Sequence, residues 1–141
     1  MMNYDLVVIG GGSAGLASAI SAFDQGVKKI LILEKDLYLG GILLQCIHNG
    51  FGLTKYKEEL TGPEYADRYV NELKIRAIDF KVQTMVLKIT PDLQVHFSNA
   101  RDGYQIVQSK AIIMATGCSE RTRGAINIPG DRVPGVLTAG L

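Results

Sequence analysis

Glycine occupies positions 10, 12 and 15 of the run Gly10-Gly11-Gly12-Ser13-Ala14-Gly15, the spacing G-x-G-x-x-G. Between a strand and a helix, that spacing lets backbone amides come close to a pyrophosphate, which side chains would hold away. Gly10 provides the sharp turn out of the strand, Gly12 leaves room for the phosphates, and Gly15 lets the helix pack closely on the sheet. The amides of Gly12, Ser13 and Ala14 then face an anion at a helix N-terminus, where the helix dipole adds roughly half a positive charge. Such a loop calls for an acid about 20 residues past the last glycine, to accept hydrogen bonds from a ribose, and Glu34 stands there. A 2′-phosphate would meet a like charge at Glu34. The loop therefore points to an unphosphorylated adenine dinucleotide, FAD or NAD rather than NADP. It does not separate FAD from NAD, because both present the same ADP half.

These residues need elements to position them. Leu6, Val7, Val8 and Ile9 form a continuous apolar run, which predicts a parallel strand covered on both faces. From Ser13 to Gln25, Ala14, Ala17, Ser18 and Ala22 recur near helical spacing, and Gly26 stops the pattern. Lys29 to Glu34 gives a second buried strand and completes a β-α-β unit. Thr61, Gly62 and Pro63 mark another helix start, with proline in the first turn. Tyr65, Ala66, Tyr69, Val70 and Leu73 give that helix an apolar stripe to about Ile75. Phe80 to Val82 returns to the sheet. Thr84 to Thr90, Leu93 to Ser98 and Tyr104 to Gln108 then alternate loosely, with turns at Pro91-Asp92 and Arg101-Asp102-Gly103, and predict a three-stranded antiparallel meander. Ala111 to Ala115 re-enters the sheet. The whole is an α/β, Rossmann-like fold, a parallel sheet carrying a β-meander.

Gly10 to Gly15, Glu34-Lys35, Gly40-Gly41, and Ala115-Thr116-Gly117 after the apolar run Ala111 to Met114, in this order and at this spacing, resemble the FAD-binding half of two-dinucleotide-domain flavoprotein oxidoreductases. Gly40 to Gly52, Glu58 to Tyr65, and Ala115 to Gly124 are similar to one bacterial branch of FAD-dependent pyridine nucleotide oxidoreductases, usually described alongside anaerobic glycerol-3-phosphate dehydrogenases. The resemblance implies FAD as cofactor and NAD(P)H as co-substrate of the full-length protein. Hydride would pass between nicotinamide and flavin before electrons reach an acceptor or a dehydrogenase subunit. It implies further cofactor contacts at Lys35, Gly41, Asn49, Val86, Ala115, Thr116 and Gly117. Val86 would offer backbone groups to the adenine edge while its side chain packs as core. Thr116-Gly117 would let the backbone pass close to the ADP moiety, and Lys35 either approaches the adenosine or is solvated.

The same resemblance leaves other residues with more than one reading. Cys46 and Cys118 are too far apart in sequence for a zinc pair or a C-x-x-C motif, which counts against a disulfide reductase. Cys46 reads as a structural or flavin-packing thiol ahead of a redox one. His48 could touch the flavin or be a plain loop histidine, and His96 reads as structural or surface. Arg121 and Arg123 either contact phosphate or an absent domain, or are solvated. No catalytic residue is identifiable.

Family members carry a separate NAD(P)H domain and a later Gly-Asp segment, and neither is visible here; Gly130-Asp131 reads as part of a turn-rich connection. At 141 residues the expectation is an FAD-binding domain incomplete at its carboxyl end, an amino-terminal piece with little or no turnover alone. The competing readings are a simple NAD-binding module and a non-catalytic FAD-holding subunit. Composition, 47% hydrophobic and 21% charged with net charge +1, predicts a soluble cytoplasmic domain. No basic run or aromatic RNA motif points to nucleic acid, no spacing points to a metal, and no apolar run reaches the roughly 20 residues of a membrane span.

Overall fold

Period-2 alternation in two short strands divides the hydrophobic core into two layers. The computed structural model describes residues 2–131 and 133–135; within it β1 (Met2–Ile9) and β2 (Ile30–Leu33) pair in parallel, Leu6 opposite Ile30 and Ile9 opposite Leu33. Successive side chains point to opposite faces. Leu6, Val8, Ile30 and Ile32 therefore meet one layer, and Val7, Ile9, Leu31 and Leu33 meet the other. Both sets are buried, which is why these strands read as unbroken apolar runs.

The first layer is helical. Helix α1 (Ser13–Asp24) buries Leu16, Ala19 and Ile20, and ends where Gly26, at φ 104°, takes a left-handed cap with its N–H on the Phe23 carbonyl. Helix α2 (Gly62–Ile75) starts with a reciprocal capping box: the Glu64 amide donates to Thr61 Oγ1 and the Thr61 amide to Glu64 Oε2. It lays Ala66, Tyr69 and Leu73 against the core. Arg76 at its end donates to both oxygens of Asp24, at 2.8 and 3.0 Å, and so ties the two helices together. Beyond α2, β5 (Asp79–Lys81) joins the sheet parallel to β2.

The second layer is the meander β6 (Met85–Ile89), β7 (Gln94–Asn99) and β8 (Gly103–Met114), whose Val95, Phe97 and Val107 cover Val7, Ile9, Leu31 and Leu33. Burying one such side chain contributes about 1.5–3 kcal/mol. The sheet order is β5-β2-β1-β8-β7-β6. Here the structure corrects the sequence reading in one respect: Tyr104–Gln108 and Ala111–Ala115 are not separate strands. β8 runs through Ser109 and Lys110, pairing antiparallel with β7 over Gly103 to Gln108 and parallel with β1 from Val107 to Met114. The polar residues mark a change of partner, and no glycine or proline interrupts the backbone there. A small hairpin, β3 (Asn49–Phe51) with β4 (Leu60–Thr61), stands outside the main sheet.

Met114 is followed by an irregular connection with one 3-10 turn at Arg123–Ile126. Arg123 donates to the carbonyls of Pro129 and Gly130, so this arginine closes its own turn. Arg132 and residues 136–141, which include the last residues of that connection, lie outside the described residues. No described helix is long and apolar enough to cross a membrane.

Candidate dinucleotide site

The ends of β1, β2 and β8 converge on the glycine run. The Gly10 amide donates to the Leu33 carbonyl at 2.8 Å, and the Ala115 amide to the Ile9 carbonyl at 2.8 Å. Gly10 turns out of β1 at φ 103°, and a Cβ built on it would collide with the Ala115 carbonyl. A Cβ on Gly15 would run into the Gly10 carbonyl. Both glycines are thus demanded by the chain itself. Gly12 is different: its φ is −75°, open to any residue, and the nearest atom to an added Cβ is Gly41 Cα at 3.9 Å. Among the described residues nothing crowds a side chain at this position, which leaves room for a group from outside to approach the backbone closely.

The amides around Gly12 fit that account. Leu16 makes the first α1 bond, to the Gly12 carbonyl at 2.9 Å; among the described residues no close hydrogen bond engages the amides of Gly12 or Ala14, and Ser13 has only the loose bridge contact to the Gly40 carbonyl. α1 has neither a side-chain cap nor an acid in its first turn. Ser13 and Ala14 are exposed. The described geometry leaves three amides at a helix N-terminus with the dipole behind them, a set suited to anionic oxygens.

Glu34 is buried, at 5% exposure, next to this loop. Its Oε2 accepts the Gly11 amide at 2.6 Å and its Oε1 the Asp36 amide at 2.8 Å. These charge-assisted bonds lock the acid onto the turn. The amide of Gly11 is therefore answered by the protein's own carboxylate, and the next three have no such partner. The chain after Glu34 is zipped to the start of the meander, with the Thr84 amide on the Glu34 carbonyl and the Gln83 amide on the Asp36 carbonyl, each at 2.8 Å.

A second glycine turn lies on the first. Gly40 donates to the Gly11 carbonyl at 2.8 Å and forms a parallel bridge with Gly12, and Gly41, at φ 54°, sits so close that an added Cβ would lie 3.0 Å from Gly12 Cα. The sequence singles out Gly41; the bridging role of Gly40 goes unrecognised, because the only signal is the doublet itself. The 3-10 turn Gly41–Gln45 leads from here to the β3–β4 hairpin.

The structure brings Gly10, Gly12, Ser13, Ala14, Gly15, Glu34, Gly41 and Ala115 into one cluster. Thr116 and Gly117 follow directly and are exposed, Gly117 at φ 64°. Lys35 is exposed and pairs with Asp36 at 3.4 Å. Asn49 is an exposed residue of β3, with its carbonyl against His48 Nδ1 at 3.0 Å. Val86 faces Phe97 across the meander and packs its side chain on the inner cluster. The Cys46 thiol donates to the Ile42 carbonyl at 3.4 Å. His96 contacts the Tyr104 hydroxyl near the start of β8, whereas the glycine run adjoins the other end of that strand, beyond Met114. Among the described residues no group of His, Cys, Asp and Glu is placed to hold a metal.

Residues 4–139 match the family described as pyridine nucleotide-disulphide oxidoreductase. The chain belongs to this family. Among the members it resembles, it is 28% identical over 145 residues to hydrogen cyanide synthase subunit HcnB of Pseudomonas protegens, covering 99% of this chain and 29% of HcnB. It is 27% identical to thioredoxin reductase of Treponema pallidum, over 92% of this chain and 39% of that protein. Bacillithiol disulfide reductase from Bacillus cereus shares the fold with a TM-score of 0.68 at 23% identity, over 82% of this chain and 40% of that one. This pyridine nucleotide-disulphide oxidoreductase domain thus spans less than half the length of these relatives.

Proposed function

We propose that this chain is the FAD-cradling domain of a flavoprotein oxidoreductase whose full-length form takes hydride from, or returns it to, NAD(P)H and passes electrons to a separate acceptor. The observation that carries the proposal is Gly12, a glycine that nothing around it crowds, beside helix N-terminal amides of which those of Gly12 and Ala14 have no close acceptor among the described residues. When bound, FAD supplies the hydride and electron chemistry. The chain's residues hold and orient it. The amides of Gly12, Ser13 and Ala14 receive the pyrophosphate, Gly41 keeps the opposite wall free of side chains, and the free lone pairs of Glu34 accept from the adenosine ribose. The ends of β6 and β8, with Lys35, Val86 and Ala115-Thr116-Gly117, border the adenine half, and Asn49 faces the flavin end. A buried anion at Glu34 repels a 2′-phosphate, which favours FAD over NADP at this loop.

Calorimetric titration with ADP, FAD and NADP tests the reading. ADP and FAD are expected to bind and NADP to fail, and Gly12→Val is expected to abolish binding with little change in thermal stability, since a Cβ there meets the described residues only at Gly41 Cα, 3.9 Å away. A Gly12→Val chain that retains FAD would overturn the proposal.

A second reading keeps the cradle and removes the turnover: an FAD-holding subunit of a larger dehydrogenase, such as an anaerobic glycerol-3-phosphate dehydrogenase. It is favoured by relatives that are named as subunits, HcnB and the opine oxidase subunit of Agrobacterium tumefaciens. NAD(P)H oxidation by the full-length protein without a partner would exclude it.

A further inference from the structure

The β3–β4 hairpin is too short to be stable by its own pairing: three residues face two, and the register slips between Asn49 and Phe51. Its anchor is a set of side chains on α2. Phe51 stacks on Tyr65 at 6.0 Å between centroids, and Tyr65 meets Tyr69 edge-on at 5.1 Å and Tyr56 edge-on at 5.7 Å. His48 lies 5.3 Å from Phe51 at the other end of this series. The loop that closes the hairpin turns on itself, with the Tyr56 amide on the Gly52 carbonyl at 2.7 Å, and sets the Tyr56 ring edge-on to Tyr65 and Tyr69 of α2.

Lys55 sits where these contacts meet. Its ammonium is 3.7 Å from the centroid of Tyr69 and 4.9 Å from that of Tyr56, and 2.7 Å from Glu72 Oε1. The Tyr56 hydroxyl donates to the same Glu72 oxygen at 2.6 Å. Glu72 is further linked to Arg76 at 3.6 Å, and Arg76 to Asp24 of α1. Burial alone would lower the Lys55 ammonium, yet its bonds to Glu72 and Tyr56 raise it overall; burial would likewise raise Glu72, and the same partners lower it. Both groups are therefore charged across the neutral range. A cation over two aromatic faces, with a carboxylate at its side, is a directional contact, unlike an exposed ion pair.

We propose that Lys55 and Glu72 form a latch that pins the 52–59 loop to α2 and so fixes the strand Asn49–Phe51, with His48 just before it, against the flavin end of the dinucleotide site. They are positioning residues, and the role rests on the FAD-cradling function proposed above. The 3-10 turn at Gly41–Gln45 already joins this strand to the phosphate loop on one side, and the Gly62 amide on the Cys46 carbonyl, at 2.8 Å, ties it to the start of α2. The latch sets the remaining freedom, the swing of the hairpin toward or away from the cofactor.

The test compares the wild-type chain with Lys55→Met, Lys55→Arg, Glu72→Gln and the Lys55→Met/Glu72→Gln double variant. Hydrogen exchange of residues 47–60 is expected to quicken by about three- to fivefold in Lys55→Met and Glu72→Gln, no further in the double variant, with β1 and β8 unchanged. Lys55→Arg keeps a cation over the rings and is expected to restore slow exchange. Affinity for ADP is expected to be equal in all variants, whereas FAD affinity falls about tenfold in Lys55→Met and the bound-flavin spectrum shifts. Equal exchange in every variant would overturn the latch, and equal FAD affinity and spectra would overturn its positioning role. A wild-type chain that binds neither ADP nor FAD would instead refute the dinucleotide reading, and the positioning role with it.

Discussion

Two walls of the candidate site are built by different means. At the β1–α1 turn, backbone meets backbone: Gly10 against Ala115, Gly15 against Gly10, Gly40 against Gly11 and Gly12. At the β3–β4 hairpin, side chains hold the position through Phe51, Tyr65, Tyr56, Lys55 and Glu72. Backbone packing leaves no adjustable torsion between the contacting groups, so the first wall is fixed wherever the fold forms. Side-chain contacts can be made, weakened or exchanged one at a time, so the second wall is open to adjustment by single substitutions.

That contrast is open to attack by substitution. Gly15→Ala is expected to have the largest effect, because its Cβ meets the Gly10 carbonyl and neither backbone can yield; a loss of roughly 3–5 kcal/mol, read by urea unfolding, would take much of a stability of order 5–15 kcal/mol. A small loss there would show that the first wall is less rigid than described. Glu34→Gln comes next. The amide can face only one of its two backbone N–H partners with oxygen, so about 1–3 kcal/mol should be lost in the same assay, and discrimination against NADP should relax in parallel titrations.

Gly50→Ala sharpens the comparison from the hairpin side. Gly50 has φ 122° like the turn glycines, yet a Cβ there meets nothing within 4 Å. Only conformational strain of about 1–2 kcal/mol is expected from thermal unfolding, well below Gly15→Ala. The smallest effect belongs to Glu72→Gln. Because the native structure holds the Glu72 carboxyl below its ordinary range, its contribution is present at neutral pH and is lost as pH falls below the ordinary glutamate range. With both partners partly exposed, the difference should stay under about 1 kcal/mol, seen as a shallower acid limb of the stability-pH curve in the variant.

Local patterns were legible wherever one short window carries the physics. Leu6 to Ile9, Lys29 to Glu34, the glycines, and Thr61-Gly62-Pro63 before the Tyr65–Tyr69–Leu73 stripe gave two strands and two helices; β2, α1 and α2 lie near those bounds, whereas β1 begins four residues earlier, at Met2. The break expected between Gln108 and Ala111 failed because polarity in one strand does not reveal that its partner changes from β7 to β1. Lys55 and Glu72 drew no notice as a pair, since a lysine in a charged loop and a glutamate on a helix look solvated until the loop folds back.

By itself the sequence determined the β-α-β unit, the turn that only glycine permits, and the placing of an acid at the end of β2, because backbone sterics and hydrophobic periodicity act over a few residues. Only the tertiary structure decided that Glu34 engages Gly11, that Gly40 bridges to Gly12, that β8 serves both layers, and that Lys55 lies over Tyr69. Each of those joins residues distant in the chain, and such contacts form only when burial of the two core layers has offset the entropy of bringing them together.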